Sequence, residues 1–300
     1  MRHPLTLAAL LAVALAQAGC IEQEEHWTLN PDGSGKVALE HRTLLTIVRS
    51  EPGPTVLERA RRKVRDILAK AEGVDVWSNV EFEVDEEAWI TFRGTAYFRD
   101  LNRLRLHLGG LEWNLTRRGD ESLVFVFERP RPAAQPFELT LEEALDRVPE
   151  QRRSAEQMRS ACVQLLPGLT TQSTLELFAE PSRKNGVQVQ PDGCFLVEIT
   201  GRKLIEAFEQ IDQQDDAWHA QKLQLAARQG NDDAWEAMLC EHLFGSSEWP
   251  SVEVPSTGAP LFDYAAEVER ARAGDERLRD SLRIGEVDEP ARLEGNGERR

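Results

Sequence analysis

The 300-residue sequence predicts an α+β protein: an antiparallel sheet with helices packed on one face, followed by a C-terminal helical hairpin and a disordered tail. Three observations carry this expectation. Short β-rich runs punctuated by turn residues fill 24–41 and 74–129, and one amphipathic helical segment, 55–72, lies between them. After Ser246 the composition shifts to Pro, Ser, Gly, Glu and Arg. The predicted boundaries are a signal peptide at 1–19, an α+β domain at 20–200 with a possible sub-boundary near 130–137, a helical hairpin at 201–245, and an acidic, mostly disordered tail at 246–300.

The chain opens with Arg2 and His3, an apolar run from Leu5 to Leu15 broken only by Thr6, and the small residues Ala18-Gly19 before Cys20. This is the layout of an export signal. Ala18-Gly19-Cys20 resembles the lipobox of bacterial lipoproteins, in which the cysteine is acylated, with chains such as palmitate, and the signal is cut just before it. Gln17 departs from the leucine-like residue that the family prefers three positions before the cysteine, and Ala16-Gln17-Ala18 also fits the cleavage site of a freely secreted protein. Two or three acyl chains hold a protein on a membrane without help from its folded body. The expected location is therefore the bacterial cell envelope, lipid-anchored at Cys20 and facing the periplasm or exterior, with soluble secretion as the alternative. The apolar stretch from Pro4 to Ile21 falls short of a spanning helix.

Without residues 1–19 the chain keeps 35 basic and 52 acidic residues, a formal balance of −17. Such a field repels polyanions, and no Lys/Arg cluster interleaved with aromatics opposes it, so nucleic acid is not an expected partner. Cys162, Cys194 and Cys240 remain beyond Cys20 as candidates for a disulfide, with three possible pairings and one cysteine left over.

Asn30-Pro31-Asp32-Gly33-Ser34-Gly35 between two β-rich runs predicts a hairpin, proline presetting one φ and the glycines accepting positive φ. Asp32 and Ser34 as calcium ligands is the weaker reading, since the acid spacing of a calcium loop is missing. Thr55-Val56-Leu57-Glu58 reads as a capping box opening a helix to about Glu72, with Gly73 ending it. Val56, Leu57, Ala60, Val64, Ile67, Leu68 and Ala71 form its apolar face; Arg59, Arg61, Arg62, Lys63 and Arg65 read as its solvated side. Strands are expected at Val74–Val84, Ala88–Phe98, Leu111–Arg117 and Ser122–Arg129, with a short helix within Asp100–His107.

Cys20, the Asn30-Pro31-Asp32-Gly33-Ser34-Gly35-Lys36 turn, the helix, and Ala96-Tyr97-Phe98-Arg99-Asp100-Leu101 together resemble envelope lipoproteins with a cysteine-proximal Asp-Gly-Ser-Gly hairpin, a group similar to the LppM-type lipoproteins. The resemblance implies an α+β domain outside a membrane, with glycolipid binding suspected for some members. It supplies no catalytic residues.

Leu139–Leu166 is expected to be helical and broken in two at Pro149. Strands follow at Ser173–Phe178, Val187–Gln190 and Cys194–Ile199 around a second Pro-Asp-Gly turn, joining the first sheet. Two helices, Arg202–Gln229 and Asp232–Phe244, carry a repeated Asp-Asp-Ala-Trp. Asp215 and Asp216 stand four and three residues before His219, a spacing that suits a metal but more simply a solvated helix surface. In the tail, Phe262–Ile284 suggests a transient helix.

Gly-x-Ser-x-Gly, His-Glu-x-x-His, phosphate-loop and dinucleotide signatures do not occur, and adjacent acids such as Glu86-Glu87 and Glu142-Glu143 point apart. The expectation is a membrane-anchored binding or scaffold module, not an enzyme, without cofactor, whose partners are the membrane through its acyl chains and an envelope protein or lipid. The alternatives are a lipid- or glycolipid-binding protein with an apolar pocket and a hydrolase with dispersed catalytic residues.

Overall fold

The computed structural model describes residues 21–45, 55–108, 111–128, 136–165, 168–228 and 234–282. β1 (Ile21–Leu29) and β2 (Gly35–Leu44) form the predicted hairpin, and α1 (Val56–Lys70) crosses back to β3 (Val76–Val84) and β4 (Trp89–Phe98). β5 (Glu112–Arg118) and β6 (Ser122–Glu128) follow, then α2 (Leu141–Leu165), β7 (Thr170–Leu177), β8 (Arg183–Asn185), β9 (Gln188–Val189) and β10 (Phe195–Thr200). The chain continues as α3 (Gly201–Asp212), α4 (Asp216–Arg228), α5 (Trp235–Phe244), β11 (Ser251–Pro255) and α6 (Tyr264–Leu282).

The strands build two sheets, a seven-stranded one in the order β3-β4-β2-β1-β7-β10-β9 and a four-stranded one in the order β5-β6-β11-β8. The expected α+β class holds, with antiparallel pairing dominant. β1 and β7 run parallel, Glu22 opposite Thr170 through Leu29 opposite Leu177. No tight turn links these distant segments, so none dictates their relative direction.

Period-two alternation sets the faces. In β1, Gln23, Glu25, Trp27 and Leu29 are buried while Glu22, Glu24 and His26 are exposed. The inner face of the large sheet meets the small sheet and the helices in one core containing Trp27, Trp77, Trp113, Phe92, Phe98, Phe125, Phe127 and Phe208. The capping box forms as predicted: Thr55 Oγ1 accepts from Glu58 N at 3.2 Å, and Glu58 Oε2 accepts from Thr55 N at 2.6 Å. Ala60, Val64, Ile67 and Leu68 are buried and Arg61, Arg62 and Lys63 exposed. Thr55→Ala is expected to cost about 1 kcal/mol, read as a lower urea midpoint at unchanged m-value.

Four local expectations change. Pro149 does not divide the helix; α2 is continuous through it. Ala144, Val148, Ala155 and Met158, on both sides of the proline, are buried, and this packing outweighs the one lost backbone hydrogen bond. The helix expected within Asp100–His107 is a single 3-10 turn, Leu101–Arg103. The segment expected as one helix from Arg202 divides into α3 and α4, because Asp215 Oδ1 accepts from Trp218 N at 2.7 Å and starts a new helix. Within the predicted tail, Ser251–Pro255 pairs with β6 and β8, and Tyr264–Leu282 is a full helix; residues 283–300 lie outside the described residues.

α6 packs on the outer face of the large sheet, where Val268 joins Val76 and Tyr97. Asp275 Oδ1 accepts from the amide of Trp77 on the edge strand β3 at 3.1 Å, and Arg279 Nε donates to its other oxygen at 2.7 Å. This satisfies an edge amide, and the register shift between Ser78 and Glu81 interrupts the same edge. Lys36 Nζ pairs with Glu267 at 2.9 Å, fixing the start of α6 to β2.

Candidate functional site

Three connections meet at one end of the large sheet and enclose a half-open cleft of about 920 Å³. The first is the β1–β2 turn, where Asp32 Oδ1 accepts from Ser34 N at 2.9 Å and from Ser34 Oγ at 2.7 Å, with Gly33 at φ +89°. Asp32 and Ser34, weighed as calcium ligands, thus close their own turn. Asn30 holds the turn from behind, accepting from Leu261 N at 2.9 Å and donating to Phe262 O at 3.3 Å.

The second connection joins α1 to β3. Glu72 and Arg105 exchange backbone hydrogen bonds of 2.8 and 2.9 Å. Gly73, at φ +74°, lies so near the following turn that an added Cβ would sit 2.4 Å from the carbonyl oxygen of Arg103. Only glycine meets both conditions. Asp75 Oδ2 accepts from Tyr264 Oη at 2.6 Å and faces Arg99 at 3.6 Å.

The third runs from β4 to β5. Asp100 Oδ1 accepts from Asn102 N at 3.0 Å and opens the 3-10 turn. Leu101 N donates to Gly33 O at 3.1 Å, tying this turn to the first connection. Asn102 spends both ends of its amide on Leu115, donating to its carbonyl and accepting from its N–H, each at 2.8 Å. Leu115, Arg99, Arg103 and Arg117 complete the wall. The cleft is polar, whereas a site for an acyl chain needs apolar walls.

A second concentration of polar groups lies in the core. Glu25 is buried on β1 and accepts from Gln23 Nε2 at 2.5 Å, Trp27 Nε1 at 2.8 Å and Ser173 Oγ at 3.1 Å. Ser173 accepts in turn from Trp113 Nε1 at 2.9 Å, so one chain of bonds links β1, β7 and the small sheet. Burial pushes the Glu25 carboxyl up to about 6, against these three bonds, which favour its charged form. Glu112, near it, is also raised by burial. His41 stands opposite Gln23 across the β1–β2 ladder and is buried. Burial and the charge of Lys63 lower its imidazole to about 4. These groups are sealed from solvent and act as core polar joints.

The sequence-predicted candidates do not converge. Cys20 lies outside the described residues. Cys162 falls in α2, while Cys194 and Cys240 are buried just before β10 and in α5 and are not bonded to each other. Burial, with Asp192 beside it, raises the Cys194 thiol to about 11. Asp215 caps α4, Asp216 pairs with Arg152 at 2.9 Å, and His219 is buried, so this trio faces three ways. Among the described residues no group of three His, Cys, Asp or Glu is placed to hold a metal, and no helix is long and apolar enough to cross a membrane. Sequence reasoning missed the cleft because its arginines come from segments that read as a short helix and an ordinary strand.

No family model and no curated protein matches the chain. Among solved structures, the folded domain of the LppM protein of Mycobacterium tuberculosis is similar at 12% identity and a TM-score of 0.30, over 61% of this chain and 84% of that domain.

Proposed function

We propose that this protein is an envelope lipoprotein, held to the outer side of a membrane by acyl chains on Cys20, that works as a binding module through the polar cleft. One arrangement carries the reading. The residue after Cys20 opens β1, and the nine residues of β1 lead straight to the turn whose Asp32 and Gly33 line the cleft. At about 3.3 Å per residue, the start of β1 and the cleft stand roughly 30 Å apart at opposite ends of one strand. An anchor there turns the cleft away from the bilayer and leaves it open to a partner.

Binding rather than catalysis is supported by what lines the cleft. Among the described residues its side chains are carboxylates, arginines, one asparagine and one leucine, with no serine, cysteine, lysine or histidine beside a base. Asp32 and Asp100 are already committed to backbone N–H groups of their own turns.

The test is the intact mass and membrane partition of the full-length chain beside Cys20→Ala. The wild type is expected to be heavier than the cut polypeptide by its acyl groups and to pellet with membranes, while Cys20→Ala stays unacylated and leaves the membrane fraction. An unacylated wild-type chain beginning at Gly19 overturns the anchor.

A further inference from the structure

We propose that the cleft is an oxyanion site in which the guanidinium groups of Arg103 and Arg117 together grip a phosphate or carboxylate group. The inference rests on the binding-module reading and names the chemistry of what the cleft takes. It follows from sorting the cleft's polar groups by whether their bonding capacity is already used. Asp32 is held by Ser34, Asp100 by the amide of Asn102, Asp75 by Tyr264, and both ends of the Asn102 amide by Leu115. The side chains of Arg103 and Arg117 have no hydrogen bond or ion pair with any described residue.

Their near neighbours behave differently. Arg105 lies 3.7 Å from Glu112, and Arg118 pairs with Glu253 at 3.0 Å. In a chain with 52 acidic and 36 basic side chains, carboxylates are plentiful, yet among the described residues none pairs with either of these two arginine side chains.

The two arginines are also held in relation to each other. The paired Asn102–Leu115 bonds fasten the turn that carries Arg103 to the strand that carries Arg117. Arg117 follows Leu115 by two residues in β5 and so shares its cleft-lining face. Gly73, packed against the backbone of Arg103, closes the turn from the other side. Fixed backbones lower the ordering cost of binding, and two planar guanidinium forks match the paired oxygens of a phosphate or carboxylate. The remaining carboxylate oxygens of the cleft accept but do not donate, so the rest of the ligand has to supply hydroxyl or amino donors.

The full chain, purified in nonionic detergent, is titrated by calorimetry with inorganic phosphate and separately with succinate. Saturable binding of at least one is expected, weakening as salt is added. A response to phosphate alone assigns a phosphoryl ligand, and one to succinate alone a carboxylate. Arg103→Gln combined with Arg117→Gln is expected to weaken that binding about tenfold or more, with the thermal midpoint of the unliganded chain unchanged because neither side chain bonds to another described residue. Absence of saturable binding by either probe, or binding that survives the double substitution, overturns the site. The Cys20→Ala partition is read independently: a soluble wild-type chain removes the anchor and leaves the titration standing, while a failed titration leaves the anchor.

Discussion

Trp113→Ala is expected to destabilise the fold by about 3–5 kcal/mol, a large share of the total stability of a domain. Trp113 is 1% exposed and packs its ring on Phe127, its cross-strand partner, at 5.2 Å between centroids. Removing the indole opens a cavity where the small sheet meets the large one. It also deprives Ser173 Oγ of its donor, one step from buried Glu25. Trp113→Phe keeps most of the ring and loses only the bond, so it should cost about 1–2 kcal/mol. Urea unfolding of both variants measures the difference. A Trp113→Ala protein within 1 kcal/mol of wild type would mean that the two sheets are not joined through this residue.

The second large effect is a pH dependence with two opposed limbs. His41 is lowered from its ordinary 6.5 to about 4 by burial, and its Nδ1 has no partner among the described residues. Its neutral form is the one the fold accepts. Its contribution, about 3 kcal/mol, is therefore complete above pH 6.5 and lost as the pH falls toward 4. Glu25, raised from 4.5 to about 6, works the other way: about 2 kcal/mol is present below pH 4.5 and lost as the pH rises through 6. Between pH 4.5 and 6 the two largely cancel. Glu25→Gln should expose the histidine limb, so that stability falls more steeply on acidification than in wild type. His41→Gln should expose the carboxyl limb, with stability falling as the pH rises over the same interval. Stability curves from pH 4 to 8 check both, and variant profiles parallel to wild type would show that neither group is buried as described.

Much of the framework is legible in local sequence. Pro31-Asp32-Gly33 and Pro191-Asp192-Gly193 lie at turns before β2 and β10, and the Thr55/Glu58 box starts α1 where its residues dictate. Local chemistry suffices there, since capping atoms lie within three residues of the groups they satisfy. The candidate site is less legible. Arg103 and Arg117 look like any exposed arginines, and their significance depends on which acids the fold places beside them. Asn102 illustrates the same point, because its role is to fasten a turn to a strand thirteen residues away.

The sequence by itself determined the β1–β2 hairpin, most of the strands, the capped amphipathic helix and the α+β class. These follow from period-two and period-3.6 burial and from turn residues, all short-range. Tertiary structure alone decided the parallel β1–β7 pairing, the continuity of α2 through Pro149, the packing of α6 on the outer sheet face, and the cleft. Each depends on contacts between segments far apart in the chain. There the burial of Val268, the bond from the Trp77 amide to Asp275, and the flanking core of α2 outweigh what local propensity favours.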